Sequence, residues 1–186
     1  MNFRHKRMTL SCIVAMFIFA GCVSTANIRR DINLSPGSYN GATVSFIGFD
    51  DARSFASRKI MGGLFNGFDS RTGDLMAPDN LVDDLEILFV KQLRAAGYKL
   101  AADKQAIVIS GSIESIGCDV AVQSKADVRI KFVVDDRGEN VLTAVYSGND
   151  EGASMYNTTC ADQLTNSVLE AARHFTDELS DYMISN

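Results

Sequence analysis

Cys22 is the residue whose setting says most about chemistry. It follows Phe19-Ala20-Gly21, which closes an apolar run from Leu10 to Ala20 broken only by Ser11. Small residues before the cysteine let a peptidase approach the backbone. The thiol is the one side chain there that can form a thioether to a lipid. Arg4, Lys6 and Arg7 precede the run. As a helix the run would reach about 16 Å, roughly half a bilayer core, so it reads as a signal-peptide core rather than a membrane span. The pattern looks like a bacterial lipobox, with Phe19 where Leu is usual. It predicts cleavage before Cys22 and a covalent diacylglyceryl and N-acyl lipid on Cys22, with no other cofactor. An ordinary signal peptide followed by an accidental cysteine is the alternative. Two or more acyl chains give stable anchoring where one does not. In enteric bacterial lipoproteins an Asp after the cysteine favours the inner membrane; Val23 stands there instead, and by that resemblance alone it implies the outer membrane with the domain facing the periplasm.

The other reactive side chains point elsewhere. Cys12 leaves with the signal peptide, and Cys118 and Cys160 remain in a compartment that forms disulfides. They are a disulfide pair or two buried thiols. The strands read below bring both to one end of the sheet, which favours the disulfide. His174 lies three residues before Asp177 on a predicted helix, and a lone histidine cannot make a transition-metal site. Asp50, Asp51 and Arg53 follow the first strand. Adjacent acids on a strand point to opposite faces, so an Asp–Arg pair holding the corner is favoured over acid–base chemistry. Ser124 and Lys125 lack the SxxK spacing, and MGGLFNG lacks the GK[ST] ending of a phosphate loop. These patterns predict no catalytic residue and no metal. Glu114, with Asp51 and Arg53, is the last set that could form an active site if the three converged. Lys+Arg number 18 against 23 Asp+Glu, which argues against a nucleic-acid partner. Loss of Arg4, Lys6 and Arg7 would take the net charge from −5 to −8.

The elements that must position these groups can be read from periodicity. Residues 23–40 are polar without sustained period and predict a flexible tether that lets the body stand off the membrane. Residues 42–50 form a first strand. Residues 51–78 are irregular and Gly-rich and read either as a hairpin folded on the core, for which 69–73 could be the turn, or as a mobile contact loop. Residues 79–97 form a helix that buries Leu81, Leu85, Leu88 and Phe89 and stops at Gly97. A short extended piece covers 98–100. Strands follow at 106–116, 126–134 and 140–148, the last two joined by a turn at Asp135-Asp136-Arg137-Gly138. A second helix covers 158–184. The expectation is an α+β two-layer sandwich, mainly antiparallel, with two long helices packed on one face. The domain plan is a signal peptide at 1–21, a lipidated tether at 22–40 and a periplasmic domain at 41–186.

Large apolar residues sit among the glycines of the hairpin. Met61, Leu64, Phe65 and Phe68 are therefore candidate contacts for a protein partner, or else core residues. The lipobox, GATVSFIGFDDAR, LVDDLEILFVKQLRAAGY, IVISGSIES, SKADVRIKFVV and YSGNDEGA together resemble the YajG-type family of bacterial lipoproteins along essentially the whole chain. That resemblance implies a lipid on Cys22 and carries over no catalytic residue. The expected function is a non-catalytic interaction or assembly-accessory module at the outer membrane, anchored by lipid and meeting a protein partner. A domain binding a small lipid, glycan or peptide is the alternative. The oligomeric state is open.

Overall fold

Val128, Ile130, Phe132 and Val134 alternate with Asp127, Arg129 and Lys131, and this strict period of two builds the strand at the centre of the fold. In the computed structural model the first four are buried and the charged set faces outward. The structure describes residues 22–36, 41–66, 68–101, 107–153 and 157–185. The signal-peptide expectation for 1–21 and the last tether residues, 37–40, lie outside the described residues.

In chain order the elements are β1 (Cys22–Thr25), β2 (Thr43–Asp51), α1 (Phe55–Lys59), β3 (Ile60–Phe65), β4 (Arg71–Met76), α2 (Leu81–Ala95), β5 (Lys99–Leu100), β6 (Ile107–Asp119), β7 (Gln123–Asp136), β8 (Glu139–Ala153) and α3 (Asn157–Ser185). The main sheet has the order β5-β2-β6-β7-β8, and a smaller sheet has the order β1-β4-β3. The fold is α+β, but the expectation of one mainly antiparallel sheet needs correction. β5 and β6 both pair with β2 in parallel, whereas β6, β7 and β8 are antiparallel. The physical reason is the long connection through α1, the β3–β4 hairpin and α2. A crossover of that length allows parallel return, which a tight turn cannot. The hairpin has register irregularities between Ile60 and Gly62 and between Leu64 and Phe65, and it forms its own sheet with β1.

The two long helices cover one face of the main sheet. Their seam is aromatic. Phe132 of β7 stacks on Phe175 of α3 at 4.2 Å between ring centroids, and Phe89 of α2 approaches Phe132 at 4.8 Å. Arg137 and Gly138, both with positive φ, close β7 onto β8 in a two-residue turn of the kind that matches strand twist. Gly148 lets α3 lie directly on β8, because a Cβ there would sit 1.8 Å from the Ser167 carbonyl oxygen.

The tether expectation fails for residues 22–36. β1 pairs in parallel with β4, Cys22 opposite Gly73 and Thr25 opposite Met76. Ala26 is 1% exposed and Ile28 5%. The segment then crosses both long helices. The Arg29 amide donates to Thr165 Oγ1 at 3.0 Å, and its guanidinium pairs with Asp162 at 2.5 Å. Arg30 pairs with the buried carboxylate of Asp84, and Lys91 donates to the Arg30 carbonyl. Ala26, Ile28, Ile32 and Leu34 explain the docking. They fall at even positions, so an extended chain presents them on one face, and Ile32 packs on the core with the first two.

Candidate functional site

The β1–β4 register joins two features that the sequence left separate. Cys22 lies opposite Gly73, Gly73 lies opposite Leu64 of β3, and Leu64 bridges to Val120 just after β6. One rung thus runs across four segments at the same end of the molecule. β3 reaches this rung by resuming, along β6, the parallel course that β2 leaves. Gly62 permits the approach, since a Cβ there would meet the Cys118 carbonyl oxygen at 1.9 Å.

The four candidate contact residues divide. Met61 is 4% exposed and belongs to the core, which removes it as a contact. Its place on β3 turns it under the sheet, where the hydrophobic effect holds it. Leu64 and Phe65 are half-buried, with Leu64 packed against the core. Phe68 is 90% exposed at the tip between β3 and β4. Cys118 and Cys160 are joined as a disulfide with their Cα atoms 6.1 Å apart, tying the end of β6 to the first turn of α3.

The acidic corner after β2 is a closed ion-pair motif. Arg53, buried, donates to both Asp51 oxygens, at 2.9 Å through Nε and 2.8 Å through Nη2. Its Nη1 donates to the Ser57 carbonyl at 3.0 Å, and Arg58 caps the Arg53 carbonyl at 3.0 Å. The Arg53 hydrogen bond holds the Asp51 carboxyl below its ordinary range. Glu114 does not join this pair, since its carboxylate faces Arg129 at 3.5 Å. Lys125 pairs with Glu151 at 2.7 Å, and Ser124 donates to the Gly152 carbonyl. His174 and Asp177 are exposed on α3. Among the described residues no three of His, Cys, Asp and Glu gather as metal ligands, and no helix is long and apolar enough to cross a membrane.

Two clefts are open on the surface. One of about 380 Å³ lies beside α3 and is lined by Leu34, Gln92, Asn149, Asp150, Glu170 and Arg173, among others. The other, about 340 Å³, lies against the Asp51–Arg53 corner and the start of α2. Both linings mix charge with apolar carbon, unlike the enclosed apolar cavity a lipid or small-ligand site prefers.

Neither any protein-family model nor any curated protein matches the chain, so membership of the YajG-type family is not shown. Solved structures do resemble it. Protein XCC0632 from Xanthomonas campestris, assigned to family-model DUF330, superposes with a TM-score of 0.51 at 12% identity, covering 88% of this chain and 96% of that one. A minor lipoprotein from Acinetobacter baumannii gives 0.43 at 16% identity over 69% of this chain and 96% of its own. Lipoprotein GNA1162 from Neisseria meningitidis gives 0.36 at 9% identity over 78% and 100%. The chain shares its fold with the Xanthomonas protein, and proteins bearing the name lipoprotein stand among its structural neighbours.

Proposed function

We propose that the protein is an outer-membrane lipoprotein, acylated on Cys22, whose periplasmic domain is a non-catalytic interaction module meeting a protein partner. One observation carries the anchoring. The lipobox of the sequence closes on Cys22, and Cys22 is held in β1 opposite Gly73 of β4, so acyl chains there would be joined to a residue fixed in the fold. The non-catalytic reading is supported by where the charged groups go. Arg53 is used by Asp51, Glu114 by Arg129 and Lys125 by Glu151. Small-ligand binding has less support, because the aromatic seam fills the space between sheet and helices.

Metabolic labelling with a fatty acid tests the anchor. The wild-type chain expressed in a Gram-negative host is expected to take up label and to fractionate with outer membranes. Cys22→Ser is expected to lose both. Unlabelled wild-type protein with a free Cys22 thiol would overturn the reading.

A further inference from the structure

We propose that the tip of the β3–β4 hairpin is a second membrane contact, with Phe68 seated in the lipid headgroup region beside the acylated Cys22. The inference rests on the anchoring proposed above and adds to it the orientation of the body.

Three observations converge on this end. The first is register. β1 runs away from Cys22 in the same direction as β4 runs away from the tip, and Cys22 shares a rung with Gly73. Adjacent strands lie about 4.8 Å apart, and the two residues from Gly73 back to Arg71 add about 7 Å before the tip begins. The hairpin therefore projects past Cys22 on the side from which the chain enters β1. A bilayer holding acyl chains on Cys22 meets the tip first.

The second is exposure. Phe68 is 90% exposed, an unusual setting for so large an apolar ring. Val122, in the turn between β6 and β7, is 58% exposed. That turn adjoins the same rung, since Leu64 bridges Val120 and the Phe65 amide donates to the Val120 carbonyl at 2.8 Å.

The third is backbone satisfaction. Immersion in a headgroup layer costs least where amides already have partners. Asn66 Oδ1 accepts from the amides of Phe68 at 2.9 Å and Ser70 at 3.1 Å. The Asn66 amide donates to the Ser70 carbonyl, and the Asp69 amide to the Asn66 carbonyl. The described backbone amides of the tip, those of Asn66, Phe68, Asp69 and Ser70, thus all have partners beside the exposed ring. Asp69 beside it limits the depth, because a carboxylate stays with water and headgroups while an aromatic ring favours that same boundary. The occupant is therefore a bilayer interface, shallowly entered.

The chain contains no tryptophan, so Phe68→Trp is a clean reporter. Its side chain is exposed, and the substitution leaves the core untouched. Acylated F68W is purified from membranes, its acylation verified by mass, and placed in phosphatidylethanolamine–phosphatidylglycerol vesicles. Emission is expected to shift to shorter wavelength and to be quenched by lipids brominated along the acyl chain. Val122→Trp is expected to shift in the same sense, and Val145→Trp, on the solvated sheet face, to stay water-like. Acylated F68W that floats with vesicles yet keeps water-like emission, open to iodide, would overturn this inference alone. A mass without acyl groups would overturn the anchoring and this inference together. A photo-crosslinker at position 68 is expected to capture lipid in cells, and a protein adduct without lipid would refute the membrane contact.

Discussion

Reducing the Cys118–Cys160 bridge should cost the domain a large share of its stability. The two residues are 42 apart in sequence, and the bridge joins the end of β6 to the start of α3. In the chain-entropy account, closing a loop of that length removes roughly 13 cal/mol/K from the unfolded ensemble, or about 4 kcal/mol at 25 °C. For a domain of this size each kcal/mol moves Tm by about 2–4 °C, so reduction is expected to lower Tm by roughly 8–16 °C. Two comparisons separate the crosslink from its packing. Reduced wild type keeps both sulfur atoms in a buried site, so its loss reports the covalent link. Cys118→Ala with Cys160→Ala also removes buried volume and should lose slightly more. Urea denaturation of the acyl-free domain, oxidised and reduced, reads the difference from the midpoints. A loss under about 1 kcal/mol on reduction would refute the loop-closure argument. Two free thiols in the non-reduced, denatured protein would refute the bridge itself.

The docked N-terminal segment predicts that Ile28→Ala costs about 2–5 kcal/mol, as for a core residue, measured by urea midpoint. A change within about 0.5 kcal/mol would return that segment to the status of a tether. Arg53→Leu leaves Asp51 without its bidentate partner and should cost about 3–5 kcal/mol at neutral pH. Asp51 has its pKa lowered by folding, chiefly by the Arg53 hydrogen bond. Its contribution is therefore present above the unfolded carboxylate value, near 3.9, and is lost as pH falls through the depressed folded value. Wild type should lose more stability than Arg53→Leu across that acid window, and parallel pH profiles would contradict the assignment. Gly148→Ala drives a methyl into the Ser167 carbonyl and should destabilise by about 1–3 kcal/mol, seen as a lower Tm, with an unchanged Tm arguing against close contact of α3 and β8.

Local elements were legible where residue type and period agreed. β7 shows its alternation openly, and Gly97, at positive φ, ends α2 where the pattern says it should. Pairing partners were less visible. Nothing in the strand of residues 42–50 distinguishes a parallel neighbour from an antiparallel one, because apolar alternation reports faces and not edges. α1 is five residues long and carries too little pattern to detect. The segment at 22–36 was missed for a different reason. Its apolar residues lie at even positions, but Arg30 interrupts them, and a charged residue in the buried series reads as solvent exposure. Only the fold supplies Asp84, buried on α2, as the partner that makes Arg30 acceptable there. The exposure of Phe68 was not separated from the burial of Met61, since large apolar residues among glycines were read alike as contacts or core, although Phe68 directly precedes the polar stretch at 69–73.

The loss of the tether changes what an anchor at Cys22 would do. A coil of many residues decouples a domain from its membrane and lets it present any face. A strand that contains the anchor residue and is hydrogen-bonded into a sheet would transmit orientation instead. With acyl chains on Cys22, the strands would rise from the bilayer with the β6–β7 turn low and the β7–β8 turn high. β7 is 14 residues long, so that far turn would stand about 45 Å above the low one. α3 follows β8 back along the same axis, and Tyr182 near its end donates to Asp136 Oδ2 at 3.3 Å beside the far turn. The polar sheet face bearing Arg129 and Lys131 would then look sideways, toward neighbours in the same leaflet. The Arg137-Gly138 turn and the end of α3 would then lie farthest from the bilayer. A rigid attachment of this kind divides the surface by geometry before any affinity is considered.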